Sequence, residues 1–186
     1  MDRTLIATVA DRPGVLTRVA SLFRRRAYNI ESLTVGHTER PGISRMTIVV
    51  DSLRTDARKV AQNLEKLVDV QDVLDVTDRR LILRDLALIK VKLRSPETRS
   101  EVLRIAERLQ GCLVDMCPHT AVIEITGSEE EIDTAVEALR GHGILEMVRT
   151  GQVAMVRGDP DPKGDGRPAS EAPQANGSEG GITWQG

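Results

Sequence analysis

The chain has 186 residues and a formal net charge of −2; 40% of them are hydrophobic but only 2% aromatic, with a single Phe, Trp and Tyr. So few rings exclude a base-stacking platform for single-stranded nucleic acid and an aromatic cage for a cationic ligand. The near-neutral charge excludes the basic field that phosphate backbones require, so no nucleic-acid partner is expected.

The start, Met1-Asp2-Arg3-Thr4-Leu5-Ile6, lacks the basic-then-apolar pattern of a secretory leader. No stretch is long and apolar enough for a membrane span, and a cytoplasmic location is expected. Leu5, Ala7 and Val9 alternate with Thr4 and Thr8, which predicts a half-buried strand. Val15, Leu16, Val19, Leu22 and Phe23 then fall on one face of a helix, with Arg18, Ser21, Arg24 and Arg25 opposite. Residues 30–37 and 43–51 read as strands joined by a hairpin at Pro41-Gly42. Ala57, Val60, Ala61, Leu64 and Leu67 predict a second helix with Thr55 as its N-cap, and Val70 to Val76 a closing strand. The order is β-α-β-β-α-β.

The same order follows again. Leu86–Leu93 predicts a strand, and Ser95-Pro96-Glu97 opens a helix with a cap and an N1 proline. Strands are expected near 111–117 and 120–126. Ser128 and Glu131 form a capping box before Ile132, Ala135, Val136 and Leu139, and one last strand is expected from Ile144 to Val156. Two such units make an α+β protein of two ferredoxin-like βαββαβ domains, each an antiparallel sheet with two helices on one face and the other face uncovered. The expected division is 1–78 and 79–158, with the boundary near Asp78-Arg79-Arg80. Residues 159–186 hold six Gly, four Pro and a charge of −3, leaving +1 on residues 1–158. With only Ile182 and Trp184 as large apolar groups, they are read as a disordered tail. Each unit is small for a self-sufficient core, and unpaired sheet edges favour association with another chain.

Cys112 and Cys117 are read as small buried apolar residues, because positions five apart on a strand do not converge on one ion. His37, His119 and His142 show no catalytic spacing and are read as surface or turn residues. No Gly-rich phosphate loop is present. No catalytic and no metal-ligating residue is assigned.

The segment Asp11-Arg12-Pro13-Gly14-Val15-Leu16 stands out. Pro13 suits the first turn of a helix, and Gly14 permits close approach to the backbone. The amides of Gly14, Val15 and Leu16 would then point from a helix N-terminus, a place suited to a carboxylate. Asp11 either takes a cation such as an α-ammonium group or caps the helix.

This entry, D-x-P-G-V-L between strand and helix, resembles that of the ACT domain. Asn29-Ile30-Glu31-Ser32-Leu33-Thr34-Val35-Gly36 with Ser44-Arg45-Met46-Thr47-Ile48 resembles the regulatory small subunit of acetolactate synthase (acetohydroxyacid synthase). Arg84-Asp85-Leu86-Ala87-Leu88-Ile89-Lys90-Val91 and Arg149-Thr150-Gly151-Gln152-Val153-Ala154 are also similar to that family. The resemblance spans about residues 2–158. It implies a non-catalytic subunit that activates the catalytic (large) subunit and confers feedback inhibition by valine. Thiamine diphosphate, Mg2+ and FAD are then expected on the catalytic partner and no cofactor on this chain. It further implies a homodimer through ACT domains, with the effector between them. Gly14, Val15 and Leu16 would take its carboxylate, Asp11 would lie in the same loop, and Asn29 and Ile30 would close the site from the neighbouring chain. Read without that resemblance, Asn29 is a turn residue tolerant of positive φ. Two other functions fit the fold. One is a stand-alone amino-acid-sensing ACT protein regulating another enzyme or transcription, which would need a DNA-binding module for the latter. The other is a small ferredoxin-like hydrolase, which would need a phosphate-cradling loop.

Overall fold

A computed structural model describes residues 2–51 and 56–158. Thr55 and the expected tail, with Ile182 and Trp184, lie outside the described residues.

The first unit runs β1 (Asp2–Ala10), α1 (Val15–Arg26), β2 (Ile30–His37), β3 (Ile43–Asp51), α2 (Ala57–Leu64) and β4 (Val70–Asp75). Its antiparallel strands lie in the order β2-β3-β1-β4. Leu5, Ala7 and Val9 face the helices and bury with Met46, Ile48 and Val50 against Val19, Phe23, Val60 and Leu64. Period-two alternation on the strands and a 3.6-residue stripe on the helices meet in this aliphatic core. The N-cap of α2 is Asp56, whose carboxylate accepts from the Arg58 amide, one residue later than the sequence suggests. Leu16, expected on the buried face of α1, is 47% exposed, while Val15, Val19, Leu22 and Phe23 carry the contact.

The second unit runs β5 (Leu81–Lys92), α3 (Pro96–Arg108), β6 (Cys112–Met116), β7 (Thr120–Gly127), α4 (Glu129–Arg140), β8 (Ile144–Arg149) and β9 (Val153–Val156). Strands β6-β7-β5-β8 form its sheet, and Ile89, Ile123, Ile125, Ile132 and Leu139 are its largest core side chains. The expected cap of α3 is present: Ser95 Oγ accepts from the Thr98 amide, with Pro96 opening the helix. The capping box of α4 is present as well, with both Ser128–Glu131 bonds made.

Three expectations are corrected here. The single strand expected over Ile144–Val156 is two, β8 and β9, broken at Thr150-Gly151-Gln152. Strand β5 starts five residues before Leu86, and its first part (Leu81–Arg84) pairs only with β9. That two-stranded ribbon lies on the back of the first sheet: Leu81, Leu83, Ala154 and Val156 close over Ile6, Leu74 and Val76. The first sheet therefore has no bare face. Second, Cys112 and Cys117 are exposed, not buried. Strand β6 is a sheet edge, and Cys112 sits opposite Glu124, away from the helices. Third, α1 begins at Val15, so Pro13 lies in the turn before the helix rather than at its first position.

Among the described residues, no helix is long and apolar enough to cross a membrane.

Candidate functional site

The site is the loop from Asp11 to Gly14, which joins the central strand β1 to α1. Its backbone is fixed from both sides. The Asp11 amide donates to Gly42 O of the β2–β3 hairpin at 2.8 Å, and the Ala10 amide to Asp69 O at 2.8 Å. Two side-chain pairs repeat this clamp. Asp11 Oδ2 is 3.1 Å from His37 Nδ1 at the end of β2. Arg18 Nε lies 2.6 Å from Oδ2 of the buried Asp69. The approach is off the hydrogen-bond direction, since that oxygen has no aligned donor, and we read the contact as ionic.

Gly14 is the N-cap of α1 at φ +88°, the left-handed region that side chains with a Cβ rarely adopt. No side chain caps this helix, and its first turn holds no acid. Asp11 is thus a partner of His37 and not a cap. The Val15 amide donates to Arg12 O at 3.3 Å and the Arg18 amide to Gly14 O at 3.0 Å. Among the described residues, the Gly14 and Leu16 amides have no acceptor. Of the three amides expected to be free, Val15's is engaged, and its side chain is a core residue at 4% exposure. What remains, among the described residues, is three unpaired N–H groups, those of Gly14, Leu16 and Thr17, at the positive end of a twelve-residue helix, beside the exposed apolar side chain of Leu16. That combination suits the carboxylate and short aliphatic side chain of one small molecule.

Asn29 and Ile30 are elsewhere in the chain. They follow the C-terminal end of α1, roughly 18 Å away by helix geometry. One copy does not bring them together with Gly14 and Leu16. Asn29 donates through Nδ2 to Glu31 Oε1, and Ile30 packs on the core edge. The positive φ that a turn asparagine would explain belongs to Ala27 instead. Asn29 leads into β2 and Ile30 opens it, and the outer edge of β2 pairs with no other strand among the described residues.

His37 and the Arg18–Asp69 pair are the parts of the site that sequence reasoning missed. They couple residues far apart in the chain, for which no local pattern exists. His119 and His142 lie at turns, as expected. Among the described residues, no group of three or more His, Cys, Asp or Glu side chains is arranged to hold a metal ion.

The fold and the glycine-capped helix entry define a protein of the ACT type, here two α+β units of antiparallel sheet and helices. The family description "AHAS small subunit-like ACT domain" matches residues 5–72, and "Small subunit of acetolactate synthase" matches residues 84–158. The acetolactate synthase small subunit of Bacillus subtilis is 42% identical over 159 residues, covering 85% of this chain and 92% of that one. That of Aquifex aeolicus is 47% identical over 149 residues, covering 80% and 78%. The crystal structure of the small subunit from Thermotoga maritima superposes with a TM-score of 0.79 at 34% identity, covering 86% of this chain and 99% of that one. The chain belongs to the acetolactate synthase small-subunit family.

Proposed function

We propose that this chain binds the catalytic subunit of acetolactate synthase, raises its activity, and makes it sensitive to feedback inhibition by valine. The observation that carries the effector part is the open N-terminus of α1: unpaired Gly14 and Leu16 amides beside an exposed Leu16 side chain. The carboxylate of valine sits on those amides, and its isopropyl group packs on Leu16. Two copies pair along the free edges of β2, so Asn29 and Ile30 of one copy close the site of the other. Thiamine diphosphate, Mg2+ and FAD stay with the catalytic subunit, and both subunits work in the cytoplasm. Each buried methylene adds about 0.8 kcal/mol, so valine binds well ahead of alanine. An aliphatic pocket separates valine from isoleucine or leucine by only about 1–3 kcal/mol, so these act as weaker effectors.

The test is reconstitution with an acetolactate synthase catalytic subunit, assaying acetolactate formation with and without valine. The expected result is a complex on sizing, a higher rate, and loss of much of that rate on adding valine. No complex and no change in rate would overturn the proposal.

A further inference from the structure

The ribbon of Leu81–Arg84 and β9 turns one side to the first sheet and the other to solvent. Leu81, Leu83, Ala154 and Val156 occupy the inner side. Side chains alternate along a strand, so the residues between them stand on the outer side. There the register pairs Ile82 with Met155 and Arg84 with Val153. Arg80 and Arg157 extend the row, since the Arg157 amide donates to Arg80 O at 2.8 Å. All six are exposed, Ile82 at 37%, Val153 at 48% and Met155 at 62%.

Neighbouring exposed apolar groups with a polar rim mark a contact surface. Here three apolar side chains are framed by three guanidiniums, and none of these arginines is in a salt bridge among the described residues. Arg84 Nη1 donates to Leu83 O at 2.8 Å. Glu131 feels the charge of Arg84, but its carboxylate is already held by the Ser128 amide. The outer side of the ribbon therefore suits an occupant with several acids and a large apolar group. A second copy pairing through the same face would set six arginines together with no acid between them.

The chain carries the complement itself. Residues 159–186 follow Gly158, which is two residues past the end of β9. They hold Asp159, Asp161, Asp165, Glu171 and Glu179 against Lys163 and Arg167, with Ile182 and Trp184 as large apolar groups. A coil from Gly158 to Trp184 spans roughly 28 Å, against roughly 14 Å from Arg80 to Arg84 along the strand. Tethering holds the segment at an effective concentration on the order of millimolar, an advantage over a free partner.

From this charge match and reach, we infer that residues 159–186 fold back onto the outer side of the ribbon. Trp184 and Ile182 cover Ile82, Val153 and Met155, and the acids lie along Arg80, Arg84 and Arg157. The indole gains a sulfur contact from Met155 and a cation–π contact from a neighbouring guanidinium. The strap shields an apolar surface that is otherwise open to other chains. It is independent of the valine reading, since it shares no residue with the α1 loop.

Trp184 is the only tryptophan, so its fluorescence in the full chain reports the docking directly. Its emission is expected to be blue-shifted, and acrylamide to quench it about threefold less than free N-acetyltryptophanamide, at every protein concentration. Met155→Glu, at an exposed position, and the pair Arg80→Glu with Arg157→Glu should each restore quenching to the free value. Trp184→Gln leaves the ribbon itself unaltered, so it decides even if a ribbon variant fails to fold. By residue-resolved NMR it should move the amides of Ile82, Val153 and Met155 and leave Gly14 and Leu16 in place. Four results would each overturn the assignment: quenching equal to the free compound, protection that fades on dilution and so belongs to a second copy, protection gained only on adding the catalytic subunit, or ribbon amides unmoved by Trp184→Gln.

Discussion

Helices α1 and α3 hold the same place in two copies of one β-α-β-β-α-β plan, yet their N-termini are opposites. At α3 the chain supplies its own acceptors: Ser95 Oγ takes the Thr98 amide, and Glu97 stands in the first turn. The Ser95 hydroxyl, and then Glu97's own amide, hold the Glu97 carboxyl below its ordinary value of 4.5. That helix end is filled. At α1 the cap is Gly14, no side chain reaches the first turn, and no acid is present. The difference is that α1 withholds a cap where α3 supplies one, and the proposed effector site rests on that open end. It also explains why the effector is assigned to the first unit alone.

The sharpest way to break the comparison is to fill α1 as α3 is filled. Gly14→Asp puts a carboxylate where the effector's own carboxylate would sit, at a φ of +88° that resists any side chain. Valine inhibition is expected to weaken at least about tenfold, roughly 1.4 kcal/mol, with activation of the catalytic subunit retained. Asn29→His should likewise weaken inhibition while sparing activation. Dose–response curves of the reconstituted enzyme check both, and joint loss of activation would indicate damage to the fold instead.

Next in size is the seam between the units. A Cβ on Gly151 would lie 2.7 Å from both Ser32 Oγ and Thr34 Oγ1 and 3.0 Å from Leu33 O. Gly151→Ala is therefore expected to cost about 1–3 kcal/mol, read as a lower urea midpoint, because backbone of β2 must shift. Smaller still, Ser95→Ala uncaps α3 at about 1 kcal/mol without creating a valine site there. Calorimetry of that variant should give the same number of valine sites as the parent chain.

The smallest effect concerns pH. The Ser128 amide, and then its hydroxyl, hold the Glu131 carboxyl below its ordinary 4.5. A group lowered on folding stabilises above its unfolded value and loses that contribution as pH falls through the folded one. The gap in urea midpoint between the parent chain and Glu131→Gln should be full near neutral pH and shrink below about pH 4.

Much of this architecture was legible in the sequence because it is local. Alternation in Leu5-Ala7-Val9, the stripe from Val19 to Phe23, and the cap chemistry of Ser95 and Ser128 all act within a few residues. The special position of Gly14 was legible for the same reason. What escaped was long-range. Leu81–Arg84 is too short to announce a strand, and it becomes one only by pairing with Val153–Val156. The exposure of Cys112 follows from β6 being an edge, which composition does not encode. Asp11 reads as a cap until His37 is brought beside it. Arg149 is similar. Burial opposes its charge, but hydrogen bonds to Asp85 and Asp133 outweigh that and raise it above the usual guanidinium range, and those partners come from β5 and α4.

The central claim is that the effector's carboxylate rests on the uncapped N-terminus of α1. Residue-resolved NMR of the full chain during a valine titration tests it most directly. Saturable shifts of the Gly14 and Leu16 amides are expected, with Glu97 and Thr98 of α3 unmoved. Saturation with Gly14 and Leu16 silent, or with the shifts centred on α3, would contradict it.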